Sequence, residues 1–82
     1  MTNATVRQAA ETFTRSTTPQ IACLMDALLV AFDQRKVAMV EGYRTSFKAT
    51  SKKMTLPALI KAYEEAEAHA AAMLDVLLSK KG

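Results

Sequence analysis

Residues 56–78 read LPALIKAYEEAEAHAAAMLDVLL, and within them Leu56, Leu59, Tyr63, Ala66, Ala70, Met73 and Leu77 recur at steps of three and four. That spacing keeps seven apolar or amphipathic side chains on one helical stripe, the a/d seam of coiled coils and helix bundles. The positions farthest from the seam are Lys61, Ala68 and Asp75, two of them charged. Pro57 is tolerated in a first turn, where its missing N–H costs no hydrogen bond, and Thr55 stands ready as N-cap. A helix over about 56–79 follows, with Lys61 and Glu65 supporting its outer face.

The two halves of this helix differ. Its first half is polar off the seam, through Lys61, Glu64, Glu65 and Glu67, whereas Ala71, Leu74, Val76 and Leu78 widen the apolar surface after Ala66. One partner helix cannot cover that width. Leu59, Tyr63, Ala66, Ala70, Met73, Leu74, Leu77 and Leu78 are therefore candidates for helix packing or for an oligomer interface.

Upstream, Gly42 and Pro19 are the only other glycine and proline before the terminal Gly82, a scarcity that argues against a chain of turns and strands. Val6, Ala9, Ala10 and Phe13 fall on one stripe of a helix over about 5–15. Thr5 and Gln8 are placed as a capping box, and Arg7, Glu11 and Arg15 as two outward ion pairs. Thr18-Pro19 restarts the chain, a hydroxyl N-cap before a proline at the first helical position. The stretch 21–32 is apolar nearly all round, which for a helix means burial on most sides. Nothing in Asp33-Gln34-Arg35-Lys36 breaks a helix, so the spacing predicts one continuous helix over 19–48. The apolar register nevertheless shifts across those four residues, which leaves room for a bend between 33 and 42. A basic connection over 49–55 would lead to the last helix. The expected fold is all-α: a short N-terminal helix and a long antiparallel helical hairpin, one domain over 1–82.

Composition bounds the rest. Eighty-two residues bury only about 60% of their unfolded surface, and the aromatic side chains are just Phe13, Phe32, Phe47, Tyr43 and Tyr63. A thin core beside surplus apolar faces favours self-association, a dimer first. One cysteine, Cys23, excludes an intrachain disulfide framework and fits a small buried hydrophobe in a reducing compartment. The N-terminus lacks the apolar region of a leader peptide, and no apolar run reaches the roughly 20 residues that span a bilayer. A cytoplasmic protein with no membrane partner is expected.

Catalytic and metal-binding patterns are sparse. His69 is the only histidine, bordering the seam one turn after Glu65, and reads as a half-buried ring held by that carboxylate. The carboxylates lie two and four residues before it, where a Glu-x-x-His di-metal site needs three. No phosphate-cradling glycine loop or serine nucleophile motif is present. No enzyme activity, metal or cofactor is therefore expected.

One electrostatic feature remains. Residues 35–53 hold Arg35, Lys36, Arg44, Lys48, Lys52 and Lys53 against Glu41 alone, and the flanking segments are each slightly acidic. Tyr43, Arg44, Phe47 and Lys48 interleave aromatics and cations among hydroxyls. Cations neutralise phosphates and aromatic rings stack on bases, so Tyr43, Arg44, Lys48, Lys52 and Lys53 are candidate contacts to nucleic acid or a nucleotide. The leading expectation is a non-enzymatic oligomeric helical adaptor or inhibitor with a larger protein partner. A nucleic-acid or phosphate-ligand-binding module is the alternative.

Overall fold

The computed structural model describes residues 3–79 as four helices and no strand: α1 (Asn3–Ser16), α2 (Pro19–Asp33), α3 (Val37–Lys53) and α4 (Pro57–Leu78). The expected long helix over 19–48 is therefore two helices. Its break lies at 34–36 and consists of backbone hydrogen bonds. The Lys36 N–H reaches back to the Ala31 carbonyl at 2.9 Å and the Arg35 N–H to the Phe32 carbonyl at 3.0 Å. This pair of bonds is the Schellman stop, which requires a left-handed residue between them. Arg35 supplies it with φ 57°, a place usually taken by glycine.

The break resolves the register shift. A straight helix would turn the apolar residues after Lys36 away from those before it. Reversing the chain at Arg35 brings Val40 and Phe47 into the same core as Leu28 and Phe32, all four buried. Helix α3 then continues to Lys53, so residues 49–53 are helical and the basic connection shrinks to 54–56.

The caps divide along the same lines. Thr18 caps α2, its hydroxyl oxygen accepting the Ile21 N–H at 3.4 Å ahead of Pro19. Thr5 lies inside α1, which starts earlier than expected, and the N-cap of α4 is Leu56 rather than Thr55. Leu56 offers no side-chain acceptor, so the first amides of α4 lack that bond.

Each helix contributes one stripe to a single core: Val6, Ala10 and Phe13 from α1, Ile21 through Phe32 from α2, Val40 and Phe47 from α3, Tyr63 through Leu74 from α4. Ala9 is exposed, so the α1 stripe is narrower than its spacing suggested. The most extensive contact joins α3 to α4. Phe47 packs on Tyr63 with ring centroids 6.3 Å apart, while Arg44, one turn earlier, reaches Glu67, one turn later. These two helices therefore run in opposite senses. Ala66 and Ala70 are fully buried, and their small side chains let the neighbouring backbones close in. Among the described residues Ser51 is the one buried polar residue, satisfied by donating to the Lys48 carbonyl at 2.9 Å.

Helix α1 closes the bundle. Phe13 lies against His69 of α4 with ring centroids 5.0 Å apart. At its other end Arg7 grips the last residue of α2: Nε and a terminal nitrogen donate to the two Asp33 carboxylate oxygens, each at 2.9 Å. Arg7 also pairs with Glu11, whereas the expected Glu11–Arg15 pair is absent among the described residues.

Candidate interaction surfaces

The seam of α4 is largely consumed inside the chain. Tyr63, Ala66, Ala70, Met73 and Leu74 are buried against the other helices, and Leu59 and Leu77 are half-buried. Only Leu78, 57% exposed, remains open from the apolar excess of the C-terminal half. The surplus that suggested a partner is mostly covered by α1, α2 and α3.

The open apolar surface lies on α2 instead. Cys23 is exposed, contrary to its expected burial, and so is Val30, at 53%. Ala27 between them is half-buried, and the three stand at i, i+4 and i+7 on one outward stripe. An all-apolar helix in a four-helix chain this small has more apolar circumference than three neighbours can cover. Sequence reading missed this face because no polar residue in 21–32 marks an outside except Asp26. Asp26 and Val30 line the shallow groove between α2 and α1, together with Arg15.

The basic segment is divided by the fold. Arg35 and Lys36 sit at the α2–α3 turn, and Lys52 and Lys53 at the far end of α3, about 25 Å away at 1.5 Å per residue. Arg44 is tied to Glu67, Nε to carboxylate oxygen at 2.9 Å. Phe47 is 1% exposed and belongs to the core, and half-buried Tyr43 packs on it at 6.3 Å. Lys48, Lys52 and Lys53 stay exposed, and among the described residues none of them has an ion-pair partner.

His69 is half-buried, as expected, but Glu65 does not hydrogen-bond it. Its Nε2 is 4.0 Å from the nearest Glu65 oxygen, too far for a hydrogen bond, and this buried nitrogen has no hydrogen-bond partner. The ring is held by packing on Phe13. Burial pushes its pKa below the ordinary 6.5, and the Glu65 charge offsets part of that shift. Glu65 does not pair with Lys61. The Arg7 guanidinium keeps the Asp33 carboxyl below its usual range through their shared hydrogen bonds.

Among the described residues no three His, Cys, Asp or Glu side chains converge as metal ligands would, and no helix is long and apolar enough to cross a membrane. Comparison of the chain with protein-family models, with curated proteins and with solved structures gives no match.

Proposed function

We propose that this protein is a non-enzymatic helical interaction protein that self-associates, as a dimer, through the outer face of α2. The observation that carries this reading is the exposure of Cys23 and Val30, with half-buried Ala27 between them, on a helix otherwise largely committed to the core. A second copy suits that face because its rim is self-complementary. Arg15 and Asp26 line one groove without pairing to each other or to any other described residue. Across a two-fold axis each can meet its opposite in the other chain.

The remaining exposed large apolar side chains among the described residues, Met39 on α3, Leu56 ahead of α4 and Leu78 at its end, lie away from α2 and are open to a larger protein partner. His69 adds nothing to an enzymatic reading, since its ring is packed on Phe13 rather than presented in a cleft.

Light scattering across micromolar to submillimolar concentration tests the assembly. The wild type is expected to be dimeric, and Val30→Asp to weaken the dimer at least about tenfold by placing a carboxylate in an apolar contact. Helicity should not change, because Val30 is exposed within the chain. A monomeric wild type, or a Val30→Asp variant that still dimerises, overturns the reading.

A further inference from the structure

The fold gathers cations that the sequence keeps apart. Helix α3 ends at Lys53, residues 54–56 turn the chain, and α4 begins at Pro57, so Lys48, Lys52 and Lys53 lie in the last turns before one connection and Lys61 in the second turn after it. The α1–α2 connection packs on the same end of α4, where Ser16, Thr17 and Thr18 share a groove with Ala58, Lys61 and Glu65. This end of the bundle carries four lysines against Glu64 and Glu65. Elsewhere the described residues hold five cations against six carboxylates. Two helix C-termini and two N-termini meet here, so their dipoles largely offset and the side chains set the potential.

None of the four lysines has an ion-pair partner among the described residues, whereas Arg7 and Arg44 are each neutralised by a carboxylate of a neighbouring helix. Lys48 and Lys52 stand one turn apart on one face, a like-charge spacing that by itself destabilises a helix by a few tenths of a kcal/mol. An external polyanion removes that repulsion.

We propose that this end of the bundle binds the phosphate backbone of nucleic acid without reading its bases. The aromatic that could have stacked, Phe47, is locked in the core, and Tyr43 packs on it, so no ring is offered at this end. Lysines are point charges on flexible stems and recognise phosphates without a planar fork. An anionic membrane is less well matched, because among the described residues at this end Leu56, 60% exposed, is the one large apolar side chain that stands open, and durable membrane docking needs two signals. Binding should therefore be electrostatic throughout. Three to four phosphate contacts give a slope of log K against log salt of roughly −2.7 to −3.6 on duplex DNA. The inference is independent of the α2 face, since it rests on the lysines of α3 and α4.

Fluorescence anisotropy with a labelled short duplex of arbitrary sequence, in low salt, tests it directly. Wild type should bind, sequence changes in the duplex should matter little, and Lys52→Glu with Lys53→Glu should weaken binding by roughly tenfold or more. Arg35→Glu with Lys36→Glu changes net charge equally at the other end of α3 and should cost less than about threefold. All four positions are exposed, so circular dichroism should report intact folds. No binding to the duplex, or equal losses in both double variants, overturns the proposal. So does binding to phosphatidylserine vesicles with none to DNA, which would assign the surface to lipid.

Discussion

His69 shows how one residue can carry a conditional stability. Its imidazole is wedged against Phe13 with an unpartnered Nε2, and burial disfavours the charged form. The unfolded chain takes up a proton near the ordinary value of 6.5, while the folded chain resists until lower pH. The stabilisation is therefore complete above 6.5 and is lost as pH falls toward the depressed folded pKa. Urea midpoints followed from pH 7.5 downward should decline in that window, and His69→Gln should flatten the decline before the carboxylates begin to titrate. An unchanged slope in the variant would contradict this account. Sequence alone placed this ring beside the seam correctly but paired it with Glu65, because i, i+4 spacing permits that pair; the Phe13 contact depends on how α1 docks. Cys23 failed for a related reason. Free cysteine is usually buried, yet which side of an all-apolar helix faces out is decided by its neighbours, not by its own residues.

At the scale of elements, the first and last helices were legible because their stripes are regular, although Thr5 and Thr55, read as their caps, do not begin them. The break between α2 and α3 was not. Its stop signal is normally a glycine, and here the left-handed position is occupied by Arg35, a residue with no local signature for that conformation. What the sequence did contain was the loss of apolar register across residues 33–36, and the fold turns that loss into a reversal. The left-handed backbone costs a side-chain-bearing residue about 1–2 kcal/mol. Arg35→Gly should accordingly stabilise the chain by about 0.5–1 kcal/mol, net of the extra freedom glycine gains when unfolded. Arg35→Ala, which keeps the strain, should not. Urea unfolding of the two variants separates them, and equal stabilities would show that the turn is not strained at this position.

For the molecule as a whole, the packing of four short helices leaves one basic end and one apolar outer face, and these are features of arrangement. The lysine cluster was half visible: Lys52 and Lys53 stood out in the chain, but Lys61 joins them only through the turn at 54–56, and Arg35 and Lys36 leave them because α3 is long. The proposed self-association through α2 has a bulk consequence: the midpoint of thermal unfolding should rise with protein concentration, since mass action favours the associated folded state. A midpoint independent of concentration would speak against the dimer. The connections of the bundle also bear on the contact that holds α1. Helices α3 and α4 are neighbours in the chain and meet at little entropic cost, whereas Phe13 and His69 enclose most of the chain between them. Their meeting closes a long loop, and that cost grows with the logarithm of the enclosed length. Acidification that charges His69 thus strikes a contact with little entropic margin. In mild acid α1 should be the first element to leave.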